Sequence, residues 1–63
     1  MGYSVGDKVR LTKAESFYMQ GLIKEKGTIV DIAENTPFPY KVVFNSVASK
    51  PIRWCSASEL ELV

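Results

Sequence analysis

Short runs of alternating apolar and polar residues recur along this chain, and this alternation restricts its fold more than any other feature. In residues 8–12, for example, Val9 and Leu11 are separated by basic or polar residues. A period of two places the apolar side chains on one face of an extended strand. Turn-forming residues separate the runs, which favours short strands over helices. The pattern predicts an all-β fold of five strands whose core comprises Val9, Leu11, Val30, Ile32, Tyr40, Val42, Phe44, Ile52, Trp54, Leu60 and Leu62.

Two segments have the spacing of a capping box at the start of a helix. Residues 12–15 read Thr-Lys-Ala-Glu, and Gly21 is placed to end a helix. The long first loop is therefore predicted to include one or two helical turns over residues 13–20. Residues 56–59 read Ser-Ala-Ser-Glu, which predicts a single helical turn before the last strand.

The chain is short and lacks covalent or metal cross-links. At 63 residues it has room for one core, so residues 1–63 are predicted to form a single domain. Cys55 is the only cysteine and there is no histidine, so neither an internal disulfide nor a zinc site is expected. No nucleophile with its base can be assembled either, which predicts a non-enzyme without a cofactor. Cys55 is interpreted as an unreactive, partly buried thiol.

Charge and hydropathy suggest a protein outside the membrane. Eight basic and seven acidic residues give a net charge of +1, and no long run of like charge occurs. Lys8 and Arg10 are expected to pair with Glu61 across neighbouring strands. No apolar stretch approaches the roughly 20 residues that a membrane helix needs. Together with the lone thiol, these features predict a cytoplasmic protein.

The predicted order of elements resembles that of the Src-homology-3-like barrels over residues 5–63, which implies a five-stranded barrel. The ligand-groove motifs of peptide-binding Src-homology-3 domains are absent, so proline-rich ligands are not implied. Residues 6–11, 15–17, 27–30, 42–44 and 59–63 are similar to photosystem I reaction-centre subunit IV and the ferredoxin-thioredoxin reductase variable chain. Residues 39–44, Pro-Tyr-Lys-Val-Val-Phe, resemble small bacterial and phage barrel domains.

The first loop carries apolar residues that no strand explains, and a loop this long is often functional. One interpretation is that they cap the end of the barrel. The other is that they stay exposed as an apolar patch, which is typical of a protein contact. The leading hypothesis is therefore a non-catalytic protein-interaction module that binds a partner protein or a second copy of itself. The predicted partner-binding residues are Phe17, Tyr18, Met19, Leu22, Ile23 and, from the loop between two prolines, Phe38.

Two other functions stay open at this point. One is a nucleic-acid-binding barrel resembling KOW or Tudor domains, with Lys24, Lys41, Lys50 and Arg53 as the binding residues. In that hypothesis Lys41 and Arg53 lie side by side on the third and fourth strands, with Asp31 opposite. The other is an accessory subunit of an electron-transfer complex, which the resemblance to the photosystem and reductase subunits implies.

Overall fold

Five strands and two short 3₁₀ helices make up the structure, a computed structural model that describes residues 2–63 except for the side chain of Tyr18. The elements are β1 (Lys8–Leu11), a first 3₁₀ helix (Phe17–Leu22), β2 (Lys26–Ile32), β3 (Tyr40–Val43), β4 (Ile52–Cys55), a second 3₁₀ helix (Ala57–Glu59) and β5 (Leu60–Leu62). The prediction of an all-β fold with five strands is therefore confirmed.

All five strands pair antiparallel in one sheet with the spatial order β4-β3-β2-β1-β5. The three strands β2, β3 and β4 form a meander, and β1 lies between β2 and β5. The sheet is not closed, because β4 and β5 each have one neighbour and form its two edges. The architecture observed is thus one open sheet with its core on one face.

Tyr3, which precedes β1, links strands that are not neighbours in the sheet. Its hydroxyl donates to the carbonyl oxygen of Leu60 over 2.9 Å, and its backbone N donates to the Tyr40 hydroxyl over 3.2 Å. The Tyr3 and Tyr40 rings meet edge to face, with centroids 5.3 Å apart and an interplanar angle of 77°. Aromatic rings prefer this geometry to a face-to-face stack. Tyr3 therefore joins β3 to β5 across the interior.

The helical turns predicted over residues 13–20 are present only in part, since the first 3₁₀ helix begins at Phe17 and ends at Leu22. Thr12, the expected cap, is used differently. Its backbone N and its hydroxyl both donate to the carbonyl oxygen of Glu59, over 2.7 Å and 3.0 Å. Thr12 thus continues the pairing of β1 with the C-terminal segment, and no helix begins there.

Glu59 is fully buried, and its carboxylate joins the turn before β5 to the first loop. Its Oε1 accepts hydrogen bonds from the backbone N and the hydroxyl of Ser56, at 2.8 Å and 3.2 Å. Its Oε2 accepts from the backbone N of Glu15 in the first loop, at 2.9 Å. A buried charge is tolerated only when hydrogen bonds replace its hydration in this way. The capping box predicted for residues 56–59 is confirmed.

The core contains most of the predicted residues, but the predicted inward face of β2 is wrong. Val30 is 43% exposed and Ile32 is also exposed, whereas Ile29 is fully buried. Gly27 shares the inward face with Ile29, and a Cβ there would lie 2.5 Å from the carbonyl oxygen of Val43. Only glycine fits that position. The pairing with β3 skips Val30, which is the extra residue of a β-bulge.

The predicted inward face of β4 is also wrong, whereas Leu62 of β5 lies on the predicted face, opposite the buried Val9, but is not covered. Ile52, Trp54 and Leu62 are exposed. The register places Cys55 opposite the buried Tyr40, so Cys55 faces the core and the residue before it faces outward. Leu62 lies on an edge strand, where no further strand covers it. The observed core consists of Val9, Leu11, Met19, Ile29, Tyr40, Val42, Phe44, Cys55 and Leu60.

The register of β2 gives a test with a matched pair of variants. Ile29→Ala should lower the free energy of unfolding by about 2–5 kcal/mol, because it opens a cavity in the core. Val30→Ala should cost less than about 1 kcal/mol, because the side chain is already partly hydrated. Urea denaturation of both variants measures the difference. A larger loss for Val30→Ala than for Ile29→Ala would contradict this register.

Glu59 and Glu61 differ in burial and form a second matched pair. Glu59→Ala should cost about 2–5 kcal/mol, since it leaves two partly buried backbone N–H groups, those of Glu15 and Ser56, without their acceptor. That is a large share of the roughly 3–9 kcal/mol expected for a domain of this size. Glu61→Ala removes only a surface ion pair and should cost less than about 1 kcal/mol. Equal unfolding midpoints in urea would show that Glu59 does not anchor the fold.

Candidate interaction surfaces

The apolar residues of the first loop do not form one exposed patch. Met19 is only 2% exposed and belongs to the core, and Leu22 and Ile23 are partly buried against it. Phe17, in contrast, is 87% exposed. The side chain of Tyr18 lies outside the described residues. The loop therefore covers the core with three of its predicted contact residues and presents Phe17 to solvent.

The side of β3 and β4 turned away from the core is unusually apolar. Lys41 pairs with Trp54, and Val43 pairs with Ile52. These positions alternate with buried residues of the same strands, so they share the opposite face of the sheet. Asp31 lies opposite Lys41 on β2, as predicted. We call this surface the outer face and define it by Asp31, Lys41, Val43, Ile52 and Trp54.

Trp54 is the centre of the outer face. Its side chain is 41% exposed, although the alternation in the sequence predicts that it points inward. The ammonium group of Lys41 lies 5.9 Å from the centroid of the Trp54 ring. Such a cation–π contact contributes about 0.5–1 kcal/mol at an exposed site. It presents an aromatic ring and a positive charge side by side.

Phe38 lies next to Trp54 at one end of the outer face. The two side chains line an open cavity of about 350 Å³ together with Ala33, Glu34 and Thr36. The hydroxyl of Thr36 accepts a hydrogen bond from the backbone N of Phe38 over 3.2 Å, which fixes the turn that carries the ring. Phe38, which sequence analysis groups with the first loop, thus contributes to the same surface as Trp54.

The residues predicted to bind nucleic acid are not brought together. Lys41 pairs with an outward residue of β4, whereas Arg53 pairs with the buried Val42. The prediction that Lys41 and Arg53 lie side by side is therefore wrong, because neighbouring residues of a strand face opposite sides. Lys50 lies in the loop before β4. Lys24 precedes β2, and its backbone N donates a hydrogen bond to β1.

Of the two basic residues predicted to pair with Glu61, Arg10 does so and Lys8 does not. Arg10 lies opposite Glu61, and its guanidinium is 3.0 Å from that carboxylate. The ammonium group of Lys8 instead donates to the hydroxyl of Thr28 over 3.2 Å. Arg10 and Glu61 are both partly exposed, so their attraction contributes little to stability.

Cys55 is buried more completely than the sequence predicts. Its side chain is inaccessible to solvent and forms no disulfide. Burial raises the pKa of the Cys55 thiol from 9.0 to about 12, and the nearby negative charge of Glu59 acts in the same direction. Because the thiolate is the reactive form, the thiol is a poor nucleophile in the folded protein.

These features define a small antiparallel β-sheet protein with an exposed aromatic face. Across residues 2–63, no group of three or more histidine, cysteine, aspartate or glutamate residues is arranged to hold a metal ion. The described part of the chain also has no helix with the length and hydropathy needed to cross a membrane. Neither a protein family nor a curated protein matches this chain.

The raised pKa of Cys55 predicts a loss of stability in alkali. The thiol ionises near pH 9 in the unfolded chain but only near pH 12 in the folded protein, so the unfolded state is favoured as the pH rises from 9.0 towards about 12. Urea unfolding over this range should show a steeper decline for the unmodified protein than for Cys55→Val. The two proteins share all other titrating groups. Parallel declines would contradict a buried, protonated thiol.

Proposed function

We propose that this chain is a non-catalytic protein-interaction module that binds a partner protein through the outer face. The observation that carries the proposal is the exposure of Trp54, the only tryptophan in the chain, on the same face as Ile52. Tryptophan is enriched among the residues that dominate protein interfaces. A contiguous exposed apolar surface on a small protein is typical of a contact site.

The proposal includes a Src-homology-3-like barrel as the scaffold. In support, β1 lies between β2 and β5, and a single 3₁₀ turn precedes the last strand, which is the order of elements in such barrels. The Tyr3 hydroxyl bonded to Leu60 and the Tyr3 backbone bonded to Tyr40 also draw the two halves of the open sheet together.

The chemistry of the outer face suggests what the partner presents. The cavity between Phe38 and Trp54 suits an apolar side chain. Lys41, held over the Trp54 ring, suits a carboxylate beside that side chain. The proposed partner is therefore a protein segment that carries an apolar residue next to an acidic one.

Two narrower hypotheses are special cases of this proposal. If the partner is a second copy of the chain, sedimentation should show a dimer whose fraction rises with concentration. If the partner is a redox enzyme, the chain should co-purify with an iron-sulfur or ferredoxin-dependent complex. Both hypotheses make the same prediction for variants of the outer face.

Affinity capture from the native cell tests the outer face against the first loop. Trp54→Ala should lower the amount of each specific partner at least about 10-fold, because a buried interface tryptophan typically contributes 2 kcal/mol or more. Phe17→Ser should leave capture unchanged and serves as the control, since that side chain is also exposed. Partners would be identified by mass spectrometry. Loss of partner capture with Phe17→Ser alone would assign the contact to the first loop. Unchanged capture with both variants would disprove the proposal.

Trp54 also reports on binding directly. Its fluorescence comes from a single site, so an identified partner should shift the emission to shorter wavelength and protect it from acrylamide quenching. Binding without any change in quenching would place the contact away from the outer face.

A further inference from the structure

Half of the basic residues lie along β1 and β2, on the same side of the sheet as the outer face but beside it, because Thr28 of the groove lies opposite Val43. A cavity of about 490 Å³ is lined by Arg10, Lys24 and Lys26, among others. An adjoining cavity of about 360 Å³ is lined by Lys8, Lys26 and Thr28, among others. Lys26 lines both cavities, and the register places it opposite Arg10. We call the two cavities together the basic groove.

Positive charge is concentrated in this groove. Four of the eight basic residues line the groove, and two carboxylates, those of Glu61 and Glu25, lie at its border. The rest of the chain therefore has four basic and five acidic residues. Glu61 pairs with Arg10 at 3.0 Å. The carboxylate of Glu25 accepts a hydrogen bond from the Ser46 hydroxyl over 2.8 Å. The net charge of +1 therefore conceals a basic surface on an otherwise slightly acidic molecule.

Neutral donors accompany the charges. Both Lys8 and Asn45 donate to the hydroxyl oxygen of Thr28, at 3.2 Å and 3.1 Å. The Thr28 oxygen is the acceptor in both bonds, so the hydroxyl proton of Thr28 can still be donated to a ligand in the groove. Lys24 has the left-handed backbone angle φ 77°, and its backbone N is anchored to the Leu11 carbonyl over 2.7 Å. Lysine and arginine together with threonine, serine and asparagine are the usual donors to phosphate oxygens.

We propose that the basic groove binds the phosphate backbone of a double-stranded nucleic acid, independently of its sequence. The described residues that line the groove include no aromatic side chain, although stacking on aromatic rings is the usual way to hold a single strand. An acidic protein partner would need apolar anchors. The lining offers few such anchors, because Leu11 is fully buried and Val63 is the only exposed aliphatic side chain among the described lining residues.

The spacing of the charges also suits a duplex. Lys8 and Arg10 are two residues apart on β1, which separates their Cα atoms by about 7 Å. Measured along the helix axis, this distance corresponds to about two phosphates of one strand of a duplex, which rise by about 3.4 Å each. Lys24 and Lys26 provide a second row on the neighbouring segment, so that three or four phosphate contacts are expected.

Fluorescence anisotropy with a labelled DNA or RNA duplex of about 20 base pairs tests the proposal. With three or four phosphate contacts, the logarithm of the association constant should fall with the logarithm of the salt concentration with a slope of about −3. The double variant Lys24→Gln/Lys26→Gln removes two contacts and should bring this slope to between about −1 and −2. Its affinity at about 50 mM salt should fall at least about 10-fold.

The control is the double variant Lys41→Gln/Lys50→Gln, which changes the net charge equally. Each pair combines one lysine in the left-handed region, Lys24 or Lys50, with one lysine in a strand. Urea unfolding followed by circular dichroism verifies that each variant is folded, since Lys41 lies over the Trp54 ring and its replacement would itself change Trp54 fluorescence. The control should bind the duplex as tightly as the unmodified protein does. If both double variants weaken binding equally, the loss of net charge alone explains the effect and the proposal is overturned.

Three further results would contradict the proposed binding of a duplex in the basic groove. No binding of either duplex at about 50 mM salt would overturn the proposal, since electrostatic affinity is greatest at low salt. Equal affinity for an oligothymidine of the same length would rule out a preference for duplexes. Competition by a polyglutamate peptide as strong as that by a duplex of equal charge would favour an acidic protein partner instead.

Discussion

The buried carboxylate of Glu59 is the interaction on which the arrangement of the segments depends. A charge without access to solvent must be compensated by hydrogen bonds, and those donors come from the second 3₁₀ helix and from the first loop. The carbonyl oxygen of the same residue accepts two hydrogen bonds from Thr12, at the end of β1. One residue thus fixes the first loop, β1 and the turn into β5. The same negative charge lies close enough to Cys55 to raise the pKa of its thiol.

The size of the chain explains why apolar residues remain outside the core. A chain this short buries only about 60% of the surface that its unfolded form exposes. The sheet has a single layer, so only one of its faces can be packed. On β3 and β4 the uncovered face is apolar, with Trp54 and Ile52, whereas on β1 and β2 it is basic, with Arg10 and Lys26. These two halves of one sheet surface differ in chemistry, which is why we propose a protein ligand for the outer face and a phosphate backbone for the basic groove.

Local patterns predicted the strands and the Ser56–Glu59 capping box because those features depend on neighbouring residues. These patterns failed to predict the inward face of a strand where the residues on both of its faces are apolar, or where neither face is clearly more apolar than the other. In β2, Ile29 competes with Val30, and the inward position of Gly27 decides between them because any side chain there would clash with β3. That glycine was a usable signal in the sequence. For β4 there was no such signal, because the burial of Cys55 follows from its position opposite Tyr40.

The candidate surfaces show the same division between local and tertiary information. The number and order of strands, the lack of a disulfide and the outward position of Arg10 beside Glu61 follow from residue types and alternation along the chain. Alternation defines two faces of a strand but does not say which one is covered. That choice was made by the pairing register and by contacts between distant segments, which placed Met19 in the core and Trp54 on the surface. Only the folded sheet could also bring Lys24 and Lys26 alongside Arg10, because side chains far apart in sequence become neighbours only when strands pair.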